Sequence, residues 1–74
     1  MNYYELLGVS ETATTEEIKH AYKMQIKKWH PDINKSEEAI NISVKLNEAK
    51  EILLDETKRE NYDRFLKEQQ EETY

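Results

Sequence analysis

The stretch KKWHPDINKSEE, Lys27 to Glu38, holds the only proline of this 74-residue chain. The residue before a proline is pushed out of the α region, so any helix arriving from upstream must stop near His30. Upstream, Thr14 and Glu17 stand in T-x-x-E spacing, a capping box that opens a helix, with Ala13 and Ile18 placed as a weak hydrophobic staple. The pattern predicts a helix from Thr15 to Trp29 or His30. At about 100° per residue, Ile18, Ala21, Tyr22, Gln25 and Trp29 share one face. Lys19, Lys23 and Lys27 form an i, i+4, i+8 stripe on another, with His20 beside it.

Downstream of the proline, DINKSEE reads as a loop. Either Asn34 or Ser36 is placed to cap a third helix, and Glu37 and Glu38 complement the dipole of its first turn. Ala39, Ile42, Leu46, Ala49 and Leu53 form the apolar stripe of that helix, which should run to about Leu54. Two helices of similar length joined by a short loop read as an antiparallel hairpin. On the N-terminal side, NYYELLGV reads as a short first helix with Leu6 and Leu7 apolar and Gly8 as its stop. On the C-terminal side, Asp55 caps a short fourth helix, ETKRENYDRFLKE, whose expected contacts are Tyr62, Phe65 and Leu66. Residues 2–66 make the domain, and residues 67–74 a polar, acidic end expected to fray.

Composition fits this all-α reading. One glycine and one proline leave little scope for the turns of an all-β fold. With no cysteine, neither disulfides nor thiolate metal sites reinforce the domain. No apolar run is long enough to span a bilayer, and MNYYELLG lacks the basic start and apolar core of a signal peptide. The expectation is a soluble, cytoplasmic monomer without membrane association.

The chain carries a net charge of −5, unevenly placed. Ile18 to Pro31 contains four lysines, two histidines and no acid; subtracting those four charges leaves −9 on the remainder. A concentrated basic segment on an acidic chain suits an acidic partner surface better than a nucleic-acid backbone. A helix–turn–helix reader is excluded on the same ground: its second helix would carry Glu37, Glu38, Glu48 and Glu51. Catalysis would need a pocket that so short a chain does not comfortably enclose. His20 and His30 lie about 15 Å apart along the helix and about 80° apart around it, so they cannot share a metal ion. No metal, cofactor or enzymatic activity is expected. Lysines on a helix are commonly a solvated face, and His30, Pro31 and Asp32 taken singly are ordinary helix-end residues.

The combination points elsewhere. Tyr3-Tyr4-Glu5-Leu6-Leu7-Gly8-Val9, Ile18-x-x-Ala21-Tyr22-Lys23, Lys28-Trp29-His30-Pro31-Asp32, Leu46-Asn47-Glu48-Ala49-x-Glu51-Ile52-Leu53 and Lys58-Arg59-x-x-Tyr62-Asp63 follow one another in order. Together they resemble a J-domain of the DnaJ co-chaperone family, over roughly Asn2 to Leu66. The resemblance implies four helices, with a long antiparallel hairpin of the second and third and short first and fourth helices. It implies docking on a DnaK-class chaperone through an acidic surface of that partner, and stimulation of the partner's ATP hydrolysis. The family's His-Pro-Asp signature maps onto His30, Pro31 and Asp32, and its basic face onto Lys19, Tyr22, Lys23 and Lys28, to which the stripe adds Lys27. Pro31 is expected to keep His30 and Asp32 presented outward, not folded onto each other.

Some residues depart from the family pattern. Met24 stands where Arg or Lys is common, Lys27 where an apolar residue is usual, and Lys50 where an aromatic is common. Gln25 and Ser43 replace core-facing apolar residues, and Gln25 is expected either to bond Ser43 across the hairpin or to reach water at the edge. No Gly/Phe-rich or Cys-rich zinc segment follows, so the chain reads as a minimal member or as a domain of a longer protein. The alternative function is a J-like docking or scaffolding module with little ATPase stimulation.

Overall fold

The computed structural model describes residues 2–71, in which four helices follow one another: α1 (Tyr3–Leu7), α2 (Thr15–Trp29), α3 (Glu37–Leu53) and α4 (Glu56–Glu71). Each boundary has a local cause. Asn2 caps α1 by accepting the Glu5 amide at 2.8 Å. The helix closes at Gly8, whose φ of 76° is the left-handed conformation that glycine adopts without cost. There the Gly8 amide returns to the Glu5 carbonyl and the Val9 amide to that of Tyr4, at 3.1 and 3.0 Å, a Schellman closure. The capping box of α2 is complete: the Glu17 amide donates to Thr14 Oγ1 at 3.1 Å, and the Thr14 amide to Glu17 Oε1 at 2.9 Å. His30 is extended, with ψ of 132°, as a residue before proline must be. Of the two candidate caps for α3, Ser36 serves. Asp55 caps α4, accepting the Lys58 amide at 3.0 Å.

α2 and α3 form the antiparallel hairpin, and α1 and α4 close its open end. The core joins Tyr4 and Leu7 of α1, Ala13, Ile18 of α2, and Leu46, Ala49 and Leu53 of α3. Burying a side chain such as Leu46 or Ile18 stabilises by about 1.5–3 kcal/mol. Trp29 and Ile42 pack against this cluster but are only half-buried, because they lie near the loop end of the hairpin where no third helix covers them.

Two expectations need correction. α4 is 16 residues long, not short; no glycine or proline follows Asp55 to stop it. It takes in the first residues of the presumed tail, and 72–74 lie outside the described residues. Tyr62 and Leu66 pack inward, whereas Phe65 is half-exposed because it falls off the Arg59–Tyr62–Asp63–Leu66 face. In α1, Tyr4 and Leu7 are buried, and Leu6 packs half-buried against the core. Of the two courses open to Gln25, a bond to Ser43 is not made, because the buried Ser43 hydroxyl donates to the Ile40 carbonyl of its own helix at 2.9 Å. Gln25 takes the other course, lying half-buried at the rim of a shallow groove with Gly8, Val9 and Met24.

Candidate functional site

The loop between α2 and α3 is built around two carbonyls and one amide side chain. The His30 carbonyl accepts the amides of Ile33 and Asn34 at 2.9 and 2.8 Å, which turns the chain immediately after Pro31. Asn34 then straps the two helices. Its Nδ2 donates to the Lys28 carbonyl at 3.2 Å, and its Oδ1 accepts the Ser36 amide at 3.0 Å. Asn34 was legible only as a possible cap; its spacing two before Ser36 is the signal of an Asx turn.

On this frame Asp32 is presented to solvent, its side chain 88% exposed. His30 behaves differently from expectation. Its Nδ1 accepts the Asp32 amide at 3.1 Å and lies 3.7 Å from Asp32 Oδ2, so the imidazole folds back over the turn. An Nδ1 that accepts an amide proton carries none itself, which places the ring proton on Nε2. The 3.7 Å approach is therefore not an ion pair in this arrangement.

The lysines of α2 lie on the exposed side of the hairpin. Lys23, Lys27 and Lys28 make no ion pair among the described residues. Lys28 Nζ sits 5.6 Å from the Trp29 ring centroid, within cation–π range. Lys19 corrects the expectation of a stripe without acidic neighbours, since Glu16 lies 3.7 Å from its Nζ. That pair is exposed and holds the lysine only weakly. Tyr22 is half-buried; its hydroxyl donates to Asn47 Oδ1 at 2.7 Å. The structure thus gathers His30, Pro31, Asp32, Lys27 and Lys28 at one end of α2 and sets Lys19, Tyr22 and Lys23 further along it.

A second polar cluster, unforeseen as a network, lies at the opposite end. The Tyr4 hydroxyl donates to Asp63 and accepts from Arg59 Nε at 3.0 Å. Arg59 Nη2 also donates to the carbonyls of Ala13 and Glu11, at 2.8 and 3.2 Å. Burial and the bond to Asp63 push the Tyr4 hydroxyl up to about 12, with Arg59 opposing them. Tyr3 joins in, its amide donating to the Tyr62 hydroxyl at 3.0 Å and its own hydroxyl to Glu48 at 3.2 Å. The Tyr-Tyr and Lys-Arg-x-x-Tyr-Asp motifs therefore clasp α1 to α4 and belong to the fold, not to the loop.

Comparison with known proteins identifies the family. A family model described as the DnaJ domain matches residues 2–63. The chain is 52% identical over 64 residues to the chaperone protein DnaJ of Mycoplasma capricolum, covering 86% of this chain and 17% of that protein. It is 49% identical over 73 residues to the chaperone protein DnaJ of Hydrogenobacter thermophilus, covering 99% of this chain and 20% of that one. Among solved structures, the J-Trx1 fragment of ERdj5 superposes with a TM-score of 0.83 at 44% identity, over 88% of this chain and 32% of that fragment. The chain thus spans a fifth or less of these curated relatives, and the part it spans is the four-helix module: the chain belongs to the DnaJ domain family.

Proposed function

We propose that this domain docks on a DnaK-class chaperone in its ATP state and stimulates the chaperone's ATP hydrolysis, acting as a co-chaperone and not as an enzyme. The observation that carries the reading is the pairing of an exposed carboxylate with free cations on one rigid support. Asp32 stands at the tip of a turn strapped by Asn34, directly beyond a helix whose Lys23, Lys27 and Lys28 make no ion pair among the described residues. A carboxylate so presented suits a charge-assisted, bidentate contact with an arginine. The lysines orient the encounter with an acidic surface through long-range attraction. Docking then acts by favouring the hydrolysis-competent conformation of the partner; the chemistry stays on the partner. The site of action in this reading is the cytoplasm, and the domain works as a monomer.

The test is single-turnover ATP hydrolysis by a DnaK-class chaperone, with the wild-type chain and Asp32→Asn. The wild type should accelerate the turnover. Asp32→Asn keeps the shape but removes the charge, and should lose most of the acceleration while its thermal midpoint stays within a few degrees. Full stimulation by folded Asp32→Asn would reduce the loop to a helix stop. Binding without acceleration by the wild type would instead favour a docking or scaffolding module.

A further inference from the structure

Lys50 stands on α3, yet its Nζ lies 4.8 Å from the centroid of the Tyr22 ring on α2. The ring is itself fixed, because the Tyr22 hydroxyl donates to Asn47 Oδ1 on α3 at 2.7 Å. Tyr22 occupies the border of the lysine stripe: Lys19, Tyr22, Lys23 and Ile26 follow i, i+3, i+4, i+7 spacing and so share one helix face. A cation held over that ring is therefore held beside Lys19 and Lys23. Lys50 makes no ion pair among the described residues, whereas Lys19 is partly engaged by Glu16. Met24 adds an apolar exposed side chain on α2 where a further cation would have reinforced the stripe.

We propose that Lys50 is an additional cation of the docking surface, delivered from α3 and mounted on the Tyr22 ring, so that the surface is shared by both arms of the hairpin. This inference rests on the chaperone docking proposed above. Tyr22 is then a positioning residue, acting through Lys50. The occupant is an acidic protein surface: compact ammonium groups without internal partners lower their energy most by meeting carboxylates. The ordinary explanation, a lysine complementing the C-terminal dipole of α3, accounts for the residue type but not for its seat over a ring of the other helix.

The experiment measures association of the whole chain with an ATP-bound DnaK-class chaperone across a salt series. Lys50→Glu should slow association about threefold to tenfold at low salt and converge on wild type as salt rises. Lys50→Arg should restore the rate, since a guanidinium stacks on the ring as well. Lys45→Glu is the matched control: Lys45 lies on the other flank of α3, beside Tyr3, and 3.5 Å from Glu48. It should stay within about twofold of wild type. The triple Glu variant of Lys19, Lys23 and Lys27 is run beside these. If the triple variant slows association and Lys50→Glu does not, the Lys50 inference fails while docking stands. A lowered thermal midpoint in Lys50→Gln with an unchanged salt slope would make Lys50 a brace of the hairpin and also overturn it. If neither variant changes association, both readings fall.

Discussion

The hydrogen bond from the Asp32 amide to His30 Nδ1 gives the histidine a task that needs only one atom of its ring. By accepting that amide it holds the backbone from which the Asp32 carboxylate projects, while Nε2 keeps the proton and remains a donor. The two ring positions are separable by substitution. Asparagine places an oxygen near the Nδ1 position, whereas glutamine reaches toward Nε2. If preorganisation of Asp32 is the main contribution, His30→Asn should retain a larger share of chaperone stimulation than His30→Gln. Both should fold with thermal midpoints within a few degrees of wild type, because the residue is exposed. Stimulation by His30→Gln equal to or above that of His30→Asn would show that the Asp32 amide does not depend on His30. This fold-back was not legible in the sequence. A bond between a side chain and an amide two residues on depends on the turn taken after Pro31, which Asn34 and the His30 carbonyl determine together.

Whole elements were easier to read, because their ends are set by neighbours in the chain. Gly8, Thr14 with Glu17, Pro31 and Asp55 each act within four residues, and each marks the helix end at which the structure places it. What failed depended on distant residues or on a missing stop: the length of α4 and the exposure of Phe65. The capping box of α2 carries its own prediction. Thr14→Ala removes the side-chain acceptor, and the loss of such a cap should lower the thermal midpoint by about 4–8 °C in a domain of this size. The bonds to the Thr14 backbone and side chain hold the Glu17 carboxyl below its ordinary value of 4.5. Its contribution is therefore fully present above that value and lost as pH falls through the lower, folded one. Glu17→Gln removes the titrating charge, so thermal melts of wild type and Glu17→Gln should converge in acid, whereas the gap to Thr14→Ala, whose backbone amide still bonds Glu17, should largely persist. A gap between wild type and Glu17→Gln that stays constant down to the acid limit would mean that the Glu17 arm of the box is not formed in solution.

Across the whole molecule, the loop between α2 and α3 and the fastening of the fold occupy opposite ends. The loop, Asp32 and the free lysines use the exposed side of α2 and its C-terminal end. The Tyr3, Tyr4, Glu48, Arg59, Tyr62 and Asp63 network joins α1 to α3 and α4, linking residues as many as 59 apart in sequence. Substitutions in the loop should therefore leave the domain folded, and damage to the clasp should act through stability. Tyr4 offers a direct measurement. Its folded value of about 12 lies above the ordinary 10.0, so the stability it supplies is complete below pH 10 and is lost as pH rises toward 12. Tyr4→Phe leaves Arg59 and Asp63 without the hydroxyl, and should be less stable at neutral pH by about 1–3 kcal/mol. The comparison to make is the thermal midpoint of wild type and Tyr4→Phe at intervals from pH 7 to 12. Their difference should hold steady up to pH 10 and then shrink, with wild type falling toward the variant. Tyrosinate absorbance of the folded wild type should show a late-ionising component that the variant lacks. A constant difference through pH 12, or an absorbance titration in which the component missing from the variant is not a late-ionising one, would mean that Tyr4 ionises like a free tyrosine and that the clasp does not hold α1 to α4 in the way its hydrogen bonds indicate.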